Sequence, residues 1–370
     1  MNNKIFYNDL PPLKDIPQSV KDISNDRKIS NLLLSFIDFH ITEDQFQVHR
    51  KNDFRNINLL ETVQDLFSYG YPVDLPHTAH EYREKIYPLI IDMHANAGYW
   101  GVQLPVGGVE SDNNGIITDY GSDLLKQQKI IIEHAGLNIS AVGGLWAHEW
   151  KQCIKPHIQA ANILGSKYLY GPFSTPFLYF PDEYSSGNAS VEWTKKRIAK
   201  FSYQLQKEIG PYAAEFGVIL CEEPLQRFER MPIRLKEATE LALNANIENF
   251  KIMVDMCHEF ADGEGPEKFK SYLKRLHEAD KLHGIHVSAI HRGKLYESWF
   301  NQEYFNDFFS PFFEYGYEGE ISIETFDAME PVVEAAKINR KMFEHPIGVM
   351  INQLVYTADK LSKVPVAVEA

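Results

Sequence analysis

From residue 80 onward the chain alternates between two hydrophobic rhythms. Segments with apolar residues three or four apart predict amphipathic helices at 80–98, 123–136, 155–165, 190–217, 234–245, 266–280, 304–316 and 327–344. Short β-branched runs between them predict buried strands at 99–106, 137–146, 166–171, 217–223, 250–256, 283–289 and 320–326. Gly210-Pro211 is expected to bend or break the long helix, and Pro311 to interrupt the helix at 304–316. The apolar stretch NLLLSFIDFHI, residues 31–41, supplies a candidate first strand.

Strands that alternate with helices, and that are apolar on both faces, specify a parallel sheet covered by helices. Eight such units predict a (β/α)8 TIM barrel. The alternative is an open doubly wound sheet, but no G-x-G-x-x-G follows the first strand, which weakens a dinucleotide-binding version. Two stretches are too long for ordinary βα loops, residues 40–80 and 172–190. Both read as insertions in loops of the C-terminal face, where barrels build their sites. A short helix is expected within the first, at NLLETVQDLF. The expected organisation is one barrel domain over residues 1–370. The first strand and insertion occupy 30–79, the main barrel 80–345 and a C-terminal extension 346–370.

Charge narrows the partners. The chain carries 37 basic and 51 acidic residues, a formal net charge of -14. Such a surface repels nucleic acid and anionic membranes. The N-terminus, MNNKIFYNDLPPLKD, is polar and contains proline, unlike a signal peptide. No apolar run reaches membrane-spanning length. Three scattered cysteines, Cys153, Cys221 and Cys257, form no C-x-x-C pair. A soluble protein of the reducing cytoplasm is the expectation, with no cysteine-built zinc site.

The chemistry gathers at the ends of the last four strands. These carry Glu223, Asp255, His286 and Glu324, spaced by about one βα unit each. A single polar residue at a strand end is more often a helix cap. Four ligand-type residues in register would converge on the barrel axis as a set of three carboxylates and one imidazole. That set suits one divalent ion, Mn²⁺, Mg²⁺ or Co²⁺, with Zn²⁺ possible. The fifth strand ends in two acids, Glu222 and Glu223, followed by Pro224. Adjacent strand residues face opposite sides, so only one of the two can point into the barrel mouth, and alternation alone leaves both choices open. Asp38, His40, Trp146, His148, Glu149 and Trp150 stand near other strand ends. They are candidates to line the pocket, with packing or capping as the alternative.

The segments EEPLQRFE, VDMCHE, HVSAIHR and ISIETFD together resemble the xylose-isomerase-like sugar isomerase/epimerase superfamily, nearest the D-tagatose and D-psicose 3-epimerase group. The likeness runs from about residue 80 to 345 and is most specific in the second half. It implies a barrel whose metal is held by Glu223, Asp255, His286 and Glu324. It selects Glu223, six residues before Glu229, as the inward acid. It implies that Glu223 and Glu324 are the acid/base pair. Glu222 is then left to a salt bridge or a loop hydrogen bond. His258, Arg292 and Glu229 are implied to bind substrate. Their structural alternatives are capping or packing for His258, a loop charge for Arg292 and pairing with Arg227 for Glu229. The chain departs from the pattern at Gln226, where the family has Asn, and after His286, where an acidic residue is missing and His291 is added.

The resemblance implies proton transfer through a metal-stabilised enediolate on a free ketose or keto-sugar derivative, since no glycine-rich phosphate loop or basic cluster marks the strand ends. It also implies a homo-oligomer, dimer or tetramer. Aldose–ketose or keto-inositol isomerisation on the same scaffold is the alternative. A nuclease resembling endonuclease IV lacks its extra histidines here, and classical xylose isomerase lacks its second acidic ligand set. A non-catalytic sugar-binding barrel is disfavoured by the intact tetrad.

Overall fold

The strand segments are short because both faces are buried, one under the helices and one inside the barrel, so each must end where the chain leaves the core. In the computed structural model they are β1 (Ile29–Leu32), β2 (Gly101–Pro105), β3 (Asn138–Gly143) and β4 (Tyr168–Gly171). They continue as β5 (Ile219–Glu222), β6 (Phe250–Asp255), β7 (Leu282–Val287) and β8 (Ile321–Ile323). All eight pair in parallel, and β1 closes the ring by pairing with both β8 and β2. The closed barrel, not the open sheet, is therefore the architecture. The structure describes residues 13, 16–33, 36, 38–51, 59–105, 110–111, 117–119, 121–143, 154–174, 191–225, 234–245, 247–262, 264–288, 305–324 and 346–364.

Several boundaries differ from expectation. β1 begins at Ile29 and ends at Leu32 rather than spanning 31–41. Phe36, Phe39 and Ile41 extend the apolar pattern but pack into the core from outside any strand. An apolar run cannot by itself distinguish a strand from a packed loop. Two helices occupy the first insertion, Glu43–Lys51 and Leu59–Ser68, of which only the second was expected. The C-terminal extension contains a helix, Pro346–Leu361, packed on the helices Gln18–Asp26, Leu59–Ser68 and Tyr87–Ala97. The Ile347 N–H donates to buried Asp65 Oδ2 at 3.0 Å, tying this helix to the insertion. The expected helix at 327–344 lies outside the described residues. Among the described residues, no helix is long and apolar enough to cross a membrane.

The helix prolines are absorbed rather than obeyed as breaks. Five residues of wider π-helix precede each one: Tyr82–Ile86 before Pro88, Leu205–Ile209 before Pro211 and Phe305–Phe309 before Pro311. A proline ring collides with the carbonyl four residues back and cannot donate to it. A wider turn moves that carbonyl away. The helix therefore runs on through Gly210-Pro211 as Gly210–Glu215.

Side-chain phase inside the barrel sets up the site. The outward strand residues, such as Leu220, Val254, Ile285 and Ile323, join one large core beneath the helices. Ala141, Tyr170, Cys221 and Met253 form a separate inner cluster. On β7 the phase is reset. Ile252 pairs with Leu282 but Val254 pairs with Ile285, so β7 carries one extra residue. His283 stacks on Tyr168, a neighbour of the inner cluster, with ring centroids 3.5 Å apart. Simple alternation from His283 would send Ile285 and Val287 inward. Gly284, at φ 91, takes up the slip instead, and His286 faces inward. This is a bulge doing what bulges do, re-aiming the side chains that follow it.

A Cβ on Gly284 would lie 2.6 Å from Tyr170 Oη and 2.9 Å from Met253 Cγ. Left-handed backbone and overpacking then act together. Gly284→Ala is expected to lower stability by about 2–4 kcal/mol in urea denaturation.

Candidate metal centre

Glu223 and Glu324 stand one residue beyond β5 and β8, yet the sheet ladder still holds them. The Glu223 N–H donates to Gly171 O and the Glu324 N–H to Val287 O, each at 3.0 Å. Asp255 ends β6, and it pairs in register with His286, which pairs in turn with Ser322. The backbone thus places the four side chains at one level of the barrel mouth. One ligand atom from each of Glu223, Asp255, His286 and Glu324 lies within 4.8 Å of all the others. The sequence-derived tetrad is brought together.

His286 Nδ1 is 2.6 Å from Glu324 Oε2 and 3.7 Å from Glu223 Oε1. His286 Nε2 lies 2.9 Å from Gln103 Oε1. His258 joins the group from the helix Met256–Asp262. Its Nε2 is 3.5 Å from Asp255 Oδ2 and 3.9 Å from Glu223 Oε1. The Cys257 N–H donates to Asp255 Oδ1 at 2.8 Å, which orients that carboxylate.

The field here is strongly negative. Burial raises the Glu223 pKa, the charges of Glu324 and Asp255 add to that, and His286 opposes it. Burial disfavours a charged His286, but Glu324 and then Glu223 more than offset it, and its pKa rises to about 10. A field that favours a proton on the imidazole favours a metal cation for the same reason. Three carboxylates, one imidazole and mutual distances under 5 Å fit a hard or borderline divalent ion.

Glu222 has the opposite fate from its neighbour. Cys221, one residue earlier, belongs to the inner cluster, and Leu220 to the outer core. Alternation therefore carries Glu223 inward and Glu222 outward. Glu222 is fully buried. The Ser174 N–H donates to both its carboxylate oxygens at 3.2 Å, and the Ser174 hydroxyl bonds Oε1. The expected loop hydrogen bond is thus supplied by the segment that follows β4.

Glu229 and Arg292 lie outside the described residues, as do Gln226, Arg227, His291, Trp146, His148, Glu149 and Trp150. His40 does not join the tetrad. Its Nε2 lies 2.9 Å from Gln128 Oε1, and Gln128 Nε2 donates to Tyr87 Oη. Its backbone N–H donates to Asp38 Oδ1 at 3.0 Å, so this pair has a packing role. Two buried groups near the tetrad were missed in the sequence. Gln103 sits inside β2. Glu320, just before β8, accepts from Tyr170 Oη at 3.0 Å, and the Tyr170 ring meets His286 edge-on at 5.8 Å. A polar residue low in a strand carries no local signal of its inward partner.

Residues 91–343 match the family model described as "Xylose isomerase-like TIM barrel". Solved structures share the fold. A candidate sugar phosphate isomerase/epimerase from Anabaena variabilis superposes with a TM-score of 0.60 at 20% identity, covering 91% of this chain and 99% of the other. A D-psicose 3-epimerase from Clostridium cellulolyticum, solved with D-tagatose, gives 0.56 at 16%, covering 74% and 92%. The 3-keto-D-glucoside 4-epimerase from E. coli gives 0.51 at 15%, covering 72% and 93%. No curated protein matches the sequence significantly.

The Glu222 environment makes a pH prediction. Burial raises its pKa from 4.5 to about 8 despite the Ser174 hydrogen bonds. The folded protein then keeps a proton that the unfolded chain releases above its ordinary range. This contribution to stability is complete at low pH and is lost as pH rises through that window. In metal-stripped protein, Glu222→Gln should flatten the fall in denaturant stability between about pH 5 and pH 8. An unchanged slope would contradict the assignment.

Proposed function

The chain belongs to the xylose isomerase-like TIM barrel family, and from that premise we propose that it is a divalent-metal-dependent sugar epimerase or isomerase. The observation that carries this reading is the convergence of three carboxylates and one imidazole from four consecutive strand ends. Glu223, Asp255, His286 and Glu324 would hold the ion. The oxygen-rich set favours Mn²⁺, Mg²⁺ or Co²⁺, with Zn²⁺ compatible. When bound, such an ion supplies the positive charge that polarises a substrate carbonyl and acidifies the C–H beside it.

The chain's own groups then move the proton. Glu223, inward at the end of β5, takes the proton from the carbon beside the carbonyl. Glu324 delivers a proton from its separate strand end. Return to the same carbon on the other face inverts that centre, which is epimerisation. Delivery to the former carbonyl carbon, while the neighbouring hydroxyl gives its proton to the former carbonyl oxygen, is aldose–ketose isomerisation. His258, packed against Glu223 and Asp255, is suited to hold a substrate oxygen. Arg292 and Glu229 are assigned the same task from their sequence pattern.

The substrate class proposed is a free ketose or a keto-sugar derivative. The structural neighbours named for D-psicose and a 3-keto-glucoside agree with it. A cytoplasmic homo-oligomer goes with this reading.

Incubating the Mn²⁺-loaded protein with a panel of ketoses in D₂O should place deuterium on the carbon beside the carbonyl. Chelation should abolish the exchange and added Mn²⁺ restore it. Glu223→Gln and Glu324→Gln should each slow exchange by about 10²–10⁴-fold. NMR of the products separates epimerisation from isomerisation. No exchange across the panel in metal-loaded wild type would overturn the reading.

A further inference from the structure

Gln103 reaches the metal centre from β2, across the barrel interior from β7. It is buried, at 1% exposure. Its Oε1 lies 2.9 Å from His286 Nε2. A carbonyl oxygen can only accept, so His286 Nε2 carries a proton in this contact. A neutral imidazole then keeps its lone pair on Nδ1, the nitrogen that faces Glu324 and Glu223. The reverse tautomer would put a proton on the one nitrogen that can bind an ion there.

Two further features seat the Gln103 amide. Gly143, at the end of β3, is the first. A Cβ there would lie 2.9 Å from Gln103 Nε2 and 3.7 Å from Tyr170 Cβ. Gly143 is not among the glycines with positive φ, so backbone freedom does not explain it. Room for the amide does. The second is the pairing of β3. Val102 pairs with Ile139 but Gln103 pairs with Ala141, which leaves Ser140 as an extra residue. Ser140 Oγ donates to Val102 O at 3.1 Å and holds the bulge. The slip sets Ala141, a member of the inner cluster, level with Gln103, and Gly143 follows two residues later on the same face.

Resting on the metal-centre reading above, we infer that Gln103 is a positioning residue. It fixes His286 as the Nε2–H tautomer and aims Nδ1 into the three carboxylates, and Gly143 is small in order to seat the Gln103 amide. A neutral amide performs this task without a further negative charge beside three carboxylates. Outer partners of ligating histidines commonly act in this way, and their loss costs about 10–100-fold in metal affinity.

Calorimetric titration of the full chain with Mn²⁺ at fixed pH tests the inference without reference to turnover, with thermal unfolding recorded for each variant. Gln103→Leu should weaken Mn²⁺ binding by about 10–100-fold. Gln103→Glu keeps an acceptor at the same reach and should bind at least as tightly as wild type. Gly143→Ala should weaken binding although neither a ligand nor Gln103 has changed. Should Gln103→Leu fail to fold, the other two variants carry the test. Wild-type affinity in both Gln103→Leu and Gly143→Ala overturns the inference while leaving the metal reading intact. So does a Gln103→Glu variant as weak as Gln103→Leu, since the acceptor would then not matter. A wild type that takes up no Mn²⁺ overturns the metal reading, and the inference with it.

Discussion

The site depends on strand phase. Side chains on a strand alternate between two faces, so one residue of slip sends every later side chain to the wrong side. Ordinary alternation brings Glu223 inward on β5, one step after outward Glu222. On β7 it would have buried Ile285 and Val287 in the barrel and turned His286 toward the helices. The bulge at Gly284 prevents that. Tyr170 and Met253 close around the missing Cβ, so the residue that resets the phase is also part of the inner packing.

Once the phase is set, electrostatics shapes the rest. Three carboxylates within 4.8 Å of one imidazole repel one another where water screens little. His286 answers part of that charge, and its pKa rises to about 10 as a result. Further down the barrel, Glu320 is handled differently. Burial raises its pKa, while hydrogen bonds from Ser30 and Tyr170 pull the other way. The Ser30 hydroxyl donates to Oε1 and the Tyr170 hydroxyl to Oε2. One buried acid is satisfied by hydroxyl donors, and the others converge on a position suited to a cation. Gln103 stands at the join, neutral, bonded to the histidine rather than to an acid.

Much of this was legible in the sequence because strand ends announce themselves. An apolar run stopping in Asp255 or Glu324 needs no tertiary knowledge to be noticed. The choice between Glu222 and Glu223 did need it, since phase is a property of the sheet and not of the segment. The family resemblance selected Glu223, and the inner position of Cys221 supplies the physical reason. Gln103 was illegible because its partner lies 183 residues away on a strand that is not its neighbour. The helix Pro346–Leu361 read only as an extension. Its apolar face gains meaning only against the helices Gln18–Asp26 and Leu59–Ser68. The residues 31–41 misled for a related reason: Phe36, Phe39 and Ile41 are as buried as strand residues but serve the helix layer.

The most direct measurement is anomalous diffraction from crystals of the Mn²⁺-loaded protein, collected at the manganese edge. One peak is expected, about 2.0–2.3 Å from His286 Nδ1 and from one oxygen each of Glu223, Asp255 and Glu324. A fully loaded crystal with no peak among these four side chains, or with the ion bound elsewhere, would contradict it.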